Sequence, residues 1–334
     1  MENSSLIDSL LYPFEKDLNK AGIYYRVFAR QKSLASIKKK LDTKSDDYKR
    51  SHKKLQDFVG IRFIFYFQED VSLFHQKLKQ YDGYDKTNES NTNEELESFS
   101  SLYQTIASEH SELKKFKAMF PLPDKVFMPQ RLNLVMRVPY NYQEQFKNEI
   151  PLGLKEEYVD LIDFTYEIQL RTVLSEGWHE VEHDLRYKTQ NESWWADCKK
   201  ESRQLNGIYA SLEASESALS NMISEIAYKN YLHNAWDALI RNHFKLRFNE
   251  KKLQNEIVLF LNNNTRIGKE ILHIDRIELI QWLWSVPVPF VLSADFVFFL
   301  INRRKIQNAS LMAVEPEPVR MILDKMKNGN IDVH

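Results

Sequence analysis

The stretch from Asp160 to Lys188 constrains the fold more than any other, because its apolar period changes partway along. Phe164, Tyr166, Ile168 and Leu170 alternate with Thr165, Glu167, Gln169 and Arg171. That is the period of two expected of a half-buried strand. After Thr172 the apolar positions Val173, Leu174, Trp178, Val181 and Leu185 recur every three or four residues, as one face of a helix does. Thr172 stands at the switch and suits an N-cap. A strand running straight into a helix implies an α/β layer arrangement. Its polar face carries a carboxylate, an amide and a guanidinium in a row. That trio suits a site that binds a metal and phosphates better than it suits solubility alone.

The rest of the first half repeats the alternation. Residues 1–22 read as a lead-in helix and Ile23 to Ala29 as a strand, delivering Arg30 and Lys32. Ser33 to Lys40 reads as a helix, and residues 43–54 as a polar loop or short solvated helix. Phe63 to Phe67, with Ile61, form an apolar run expected of a strand buried on both faces, with Asp57 just ahead of it. Asp70 is placed to cap a helix over Val71 to Tyr81. Residues 82–98 are polar and acidic and predict a surface excursion. A helix is expected over Phe99 to Phe120, and a strand over Arg131 to Val138. From Ser202 to Tyr228 the apolar residues keep a long helical period, and helices dominate from there on. The expected architecture is an α/β domain over residues 1–230, with a divergent insertion at 82–128, and a helical region over 231–334 for regulation or oligomerisation.

Composition narrows the function. Lys+Arg and Asp+Glu number 46 and 47, so no global field would attract nucleic acid, and no long nucleic acid is expected as a partner. The single cysteine, Cys198, excludes an intrachain disulfide and suits a reducing cytoplasm. Met1 to Leu11 lacks the basic start of a signal peptide. Leu279 to Ile301 has one charge, Asp295, but Pro287 and Pro289 break the run. It reads as two buried helices joined by a proline turn, a core or an oligomer surface, and not as a membrane span.

Four motifs stand in order between Arg30 and Lys188. They are Arg30-x-Lys32-x-x-x-Ser36-Ile37-x-x-Lys40, Gln56-Asp57-x-x-Gly60-Ile61-Arg62, Glu167-Ile168-Gln169-Leu170-Arg171-Thr172 and Trp178-x-x-x-Glu182-His183-x-x-x-Tyr187-Lys188. Their order, residue types and spacing resemble the synthetase domain of the RelA/SpoT family of alarmone synthetases. The resemblance covers about residues 20–230. It implies a mixed nucleotidyltransferase-like sheet flanked by helices. It also implies transfer of pyrophosphate from ATP to the 3′-hydroxyl of a guanine nucleotide, as a cytoplasmic stress or defence signal read by an effector protein.

On that resemblance Asp57 and Glu167 hold Mg²⁺, a hard ion that takes carboxylate oxygens, and one of them or a water takes the hydroxyl proton. Arg30, Lys32, Lys40 and Arg62 grip the donor phosphates, with Ser36 beside them. Gln169 and Arg171 orient substrate or the moving phosphate. Glu182 and His183 complete or brace the site. Each residue also has a plainer reading. Lys38 to Lys40 can be a solvated helix face, Asp57 a turn residue, and Glu167 with Arg171 a cross-strand ion pair.

One departure bears on the acceptor. Family members carry a loop Gly-Tyr-Arg-x-x-His whose tyrosine stacks on guanine. Here the stretch is Pro129-Gln130-Arg131-Leu132-Asn133-Leu134, and only Arg131 is kept. Loss of an aromatic platform removes on the order of 1–3 kcal/mol of stacking. An acceptor other than guanine is therefore expected. The alternatives are a nucleotidyltransferase joining nucleoside triphosphates into a short oligonucleotide, an inactive nucleotide-binding regulator, and a tRNA-modifying toxin. His179-Glu180-Val181-Glu182-His183 also fits the H-E-x-x-H zinc protease signature, but no third ligand stands at a familiar spacing.

Overall fold

The computed structural model describes residues 5–51, 54–91, 132–182, 185 and 198–327. The chain divides into two compact units, one of residues 1–10 and 26–216, the other of residues 11–25 and 217–334. The first unit is built on a five-stranded mixed sheet in the order β1-β2-β5-β4-β3. The strands are β1 (Tyr25–Gln31), β2 (Val59–Phe65), β3 (Tyr84–Asn91), β4 (Leu132–Arg137) and β5 (Thr165–Thr172). Strand β2 pairs parallel with β5, and β4 pairs antiparallel with both β5 and β3. Helices α1 (Leu6–Lys20), α2 (Leu34–Ser51) and α3 (Gln68–Leu78) alternate with the first strands. Helices α4 (Gln143–Glu149), α5 (Glu156–Val159), α6 (Val173–Glu182) and α7 (Lys199–Leu232) surround β5 in the chain.

The two faces of the sheet have different chemistry, and the registers show why. Val59, Ile61 and Phe63 on β2, Tyr166, Ile168 and Leu170 on β5, and Leu134 and Met136 on β4 are all buried. They form the core face. Phe63 and Phe65 pack on Phe74 of α3, with ring centroids 5.1 and 5.4 Å apart, and Phe58 meets Phe146 of α4 edge-on at 5.1 Å. Each such ring contributes about 1.5–3 kcal/mol by leaving water. The other face carries Gly60 and Arg62, Glu167, Gln169 and Arg171, and Asn133 and Val135. Within the expected apolar run Ile61, Phe63, Ile64 and Phe65 are buried, whereas Tyr66 is exposed and Gly60 and Arg62 beside the run stay half-exposed.

Several boundaries move. α2 runs on to Ser51, the helical alternative for residues 43–54, and β3 lies inside the expected excursion. α3 starts at Gln68, and Asp70 is buried in its first turn instead of capping it. Thr172 does cap α6: the Ser175 N–H donates to its Oγ1 at 3.1 Å and Ser175 Oγ accepts from the Thr172 N–H at 2.9 Å. The buried face of α6 is Ser175, Trp178, His179 and Glu182, while Val173, Val181 and Leu185 are exposed. Local pattern reading chose the apolar side, whereas Trp178 and His179 pack against Tyr209 of α7. The helix expected over Phe99 to Phe120 lies outside the described residues.

The second unit is helical: α8 (Trp236–Phe244), α9 (Asn255–Asn263), α10 (Thr265–Leu272), α11 (Arg276–Ser285), α12 (Ala294–Ile301), α13 (Ala309–Ala313) and α14 (Glu317–Lys327). Leu279 to Ile301 forms two helices around Pro287 and Pro289, as the sequence predicts. Leu279, Ile280, Leu283 and Phe296 to Ile301 are buried, so this segment is core. Among the described residues no helix is long and apolar enough to cross a membrane. Residues 11–25 belong to this unit. Lys20 Nζ donates to the carbonyls of Trp284 and Val286 at 2.8 and 2.6 Å, neutralising the end of α11, and Trp284 Nε1 donates to Asp17 O at 2.9 Å.

Candidate active site

The parallel register of β2 and β5 sets the site. Gly60 lies opposite Glu167, and Arg62 opposite Gln169. Asp57 ends the loop entering β2, three residues before Gly60. This brings the two carboxylates, 110 residues apart in sequence, to one end of the same sheet face. Their charges feel each other, since the Asp57 carboxylate helps to raise the Glu167 carboxyl.

Their environments push the two groups apart. Burial raises Asp57, but the hydrogen bond from Lys40 and the charges of Lys32 and Lys40 outweigh it and hold the carboxyl below its ordinary value. Lys40 Nζ lies 3.0 and 2.9 Å from the two Asp57 oxygens, and Lys32 Nζ lies 3.3 Å away. Burial, then the Asp57 charge, raises Glu167, and Gln169, Lys32 and Arg171 only partly offset them. Gln169 Nε2 donates to Glu167 Oε2 at 3.1 Å. One carboxylate firmly ionised beside another that holds its proton more tightly is the arrangement from which acid and base roles are drawn.

The remaining cations are held by specific partners. Arg62 donates to Gln169 Oε1 at 2.9 Å and to Glu180 at 2.7 Å, and it pairs with Glu176 as well. Burial lowers its guanidinium, but Glu180 and Glu176 more than reverse that. Arg171 is buried and donates to Asn133 Oδ1 at 2.8 Å, to Leu170 O at 2.7 Å and to Leu132 O at 3.4 Å, which points it at the start of β4. Arg30 is exposed on β1. Ser36 is exposed on α2, its hydroxyl 2.9 Å from that of Ser33. Glu182 is buried on the packing face of α6 with Trp178 and His179. Arg131 and His183 lie outside the described residues. So does most of the divergent loop, apart from Leu132 to Leu134. Leu134, at the position where family members carry the loop histidine, is buried on the core face.

The residues present fit a divalent cation of the magnesium type. Both carboxylates supply hard oxygens, and Asp57 is ionised. A Cβ built on Gly60 would meet nothing within 4 Å, so open volume lies beside Glu167. Among the described residues no three His, Cys, Asp or Glu side chains converge as a metal cage. Magnesium is normally held by one or two carboxylates, with substrate phosphates and waters completing the shell. Glu176, Glu180 and Asn133 hold Arg62 and Arg171, and sequence reasoning missed all three. Glu176 and Glu180, four apart on one helix, were the available signal.

The chain matches no protein-family model and no curated protein sequence. It is similar to solved structures described as a GTP pyrophosphokinase family protein and as small alarmone synthetases. A GTP pyrophosphokinase family protein from Streptococcus pneumoniae is 20% identical with a TM-score of 0.40, over 66% of this chain and 88% of that one. Small alarmone synthetase 1 from Bacillus subtilis is 16% identical with a TM-score of 0.36, over 66% and 98%. Small alarmone synthetase 2 from the same organism is 19% identical with a TM-score of 0.38, over 66% and 93%. At these identities and scores the functional reading rests on this chain's own side chains.

Proposed function

We propose that this chain is a nucleotide-signal synthetase that moves pyrophosphate from ATP or another nucleoside triphosphate to the 3′-hydroxyl of an acceptor nucleotide. The convergence of Asp57 and Glu167 beside Lys32 and Lys40 carries this reading. In the reaction the acceptor oxygen attacks the β-phosphorus of the donor, and the bond from that phosphorus to the α,β-bridging oxygen breaks. A nucleoside monophosphate leaves, and the hydroxyl proton passes to one of the two carboxylates or to a water. Asp57 and Glu167 would hold Mg²⁺, which neutralises charge on the phosphate oxygens when bound. Lys32 and Lys40 turn from Asp57 to the donor phosphates once that carboxylate has another counter-ion, and Arg62 and Arg171 fix Gln169 and the β4 end for the acceptor.

The test is incubation with all ribo- and deoxyribonucleoside triphosphates and Mg²⁺, followed by mass identification of products. A nucleotide heavier by one pyrophosphate, lost in Asp57→Ala and Glu167→Ala, is the expected outcome. A joined dinucleotide would replace this reading with nucleotidyl transfer, and unchanged product in both variants would refute the site.

A further inference from the structure

Gln169 stands between Glu167 and Arg171 on the polar face of β5, and its amide is committed at both ends. Oε1 accepts from Arg62 Nε at 2.9 Å, and Nε2 donates to Glu167 Oε2 at 3.1 Å. A guanidinium that only donates and a carboxylate that accepts fix which end of the amide faces which. Arg62 is committed in turn. It lies opposite Gln169 in the β2–β5 register, and its Nη1 donates to Glu180 Oε1 at 2.7 Å and to Glu176 Oε1. Those two carboxylates are four residues apart on α6 and so share one side of the helix. The Thr172–Ser175 cap ties α6 to the end of β5 and sets where that side lies. Hydrogen bonds therefore run without a break from α6 through Arg62 and Gln169 to Glu167.

The charges along this path argue against a phosphate grip at Arg62. One guanidinium between two carboxylates is a net negative group, which repels a triphosphate. Lys32 and Lys40 share the single carboxylate of Asp57 and stay net positive. The path also makes the two Glu167 oxygens unequal: Gln169 holds Oε2, and Oε1 accepts no hydrogen bond among the described residues. We infer that Glu176 and Glu180 are positioning residues that act through Arg62 and Gln169 to hold Glu167, leaving Oε1 as its metal-binding oxygen. The inference rests on the proposed function, because it needs Glu167 to be a metal ligand. Arg62 and Gln169 then act by fixing a ligand's place and not by touching substrate. Outer partners of this kind set metal affinity nearly as strongly as the ligands they orient.

Calorimetric titration with Mn²⁺ alone, and separately with metal-free tripolyphosphate, tests this. The proteins are wild type, Arg62→Lys, Gln169→Leu, those two combined, and Glu176→Gln combined with Glu180→Gln. Arg62→Lys keeps the charge but loses the fork that spans Gln169 and α6. It and Gln169→Leu should each weaken Mn²⁺ binding about 10- to 100-fold, with tripolyphosphate binding unchanged. Combined, they should be no weaker than either alone, because both break one path. The paired glutamine variant should also weaken Mn²⁺, from the far end of that path. It keeps the side-chain shapes, so the test stands even where Arg62→Lys does not fold. Unchanged Mn²⁺ affinity in Arg62→Lys or in the paired glutamine variant would overturn the positioning role while the metal site stands. So would losses that multiply when Arg62→Lys and Gln169→Leu are combined, or an equal loss of tripolyphosphate. A wild-type protein that takes up no Mn²⁺ would overturn the proposed function and this inference with it.

Discussion

Replacing Glu167 by glutamine should make the metal-free protein more stable while destroying its activity. Burial and the facing Asp57 charge both raise the Glu167 carboxyl, and Gln169, Lys32 and Arg171 only partly compensate. The folded protein therefore binds that proton more tightly than the unfolded chain does. For such a group, stability falls as pH rises from the ordinary carboxyl range through the raised one, so at neutral pH and above the ionised side chain weakens the fold. Glutamine keeps the shape and removes the charge. Its oxygen can still accept from Gln169 Nε2, now 3.1 Å from Glu167 Oε2, and its amide can donate to Asp57. Relief of one poorly compensated buried carboxylate is worth about 1–2 kcal/mol. At about 2–4 °C per kcal/mol for a unit of this size, the melting temperature should rise by about 2–8 °C at pH 8. Thermal scans without metal at pH 8 and pH 4 measure it, and the gain should vanish at pH 4, where the wild-type side chain is protonated as well. Adding Mg²⁺ and ATP should reverse the order, because only the wild type gains from tight ligand binding. A variant that melts lower than wild type at pH 8, or whose gain persists at pH 4, would refute the reasoning.

Asp57→Asn should behave in the opposite sense, because it strips Lys32 and Lys40 of their counter-charge. A loss of about 1–2 kcal/mol is expected at pH 7. Since the carboxyl is held below its ordinary value, that contribution is present above the ordinary carboxyl range and is lost as pH falls through the lowered value, so the gap between the two melts should narrow as pH drops below the ordinary carboxyl range. In the helical unit, Arg303 pairs with the fully buried Glu315 and with Asp324 at 3.1 Å. Arg303→Met should cost about 3–5 kcal/mol in urea titrations, and adding Glu315→Leu should return most of it. Gly22 has φ +65°, and a Cβ there would lie 2.3 Å from Leu292 Cδ2. Gly22→Ala should cost about 1–3 kcal/mol, seen as faster limited proteolysis of the helical unit.

What was legible in the sequence follows from the range of the interactions. The strand at Thr165–Thr172 and its hand-over to a helix were readable because a change of period is local. Asp57 and Glu167 could be paired only through the resemblance, since no local signal says that β2 and β5 lie side by side. Trp178 is buried as its place on the apolar stripe implies, but the burial of His179 and Glu182 beside it was not readable for the same reason: Tyr209, which packs on Trp178 and His179, arrives some thirty residues later. Strand β3 was missed because its residues, Tyr-Asp-Lys-Thr-Asn-Glu-Ser-Asn, have weak strand propensity, and pairing with β4 overrides it. The partners of Arg62 escaped notice because Glu176 and Glu180 read as helix solvation until the strand beneath them is placed.

The segment Leu11 to Tyr25 is made well before its partners Trp284, Val286 and Leu292, which follow more than 250 residues later. Phe14, Leu18 and Ile23, all buried in the folded chain, must wait for that stretch to be made. The α/β unit can form meanwhile, but the helical one closes only after residues 284–292 are made. That delay makes the N-terminal helix a natural client for a holding chaperone, and it makes any fragment cut near residue 230 an aggregation-prone one.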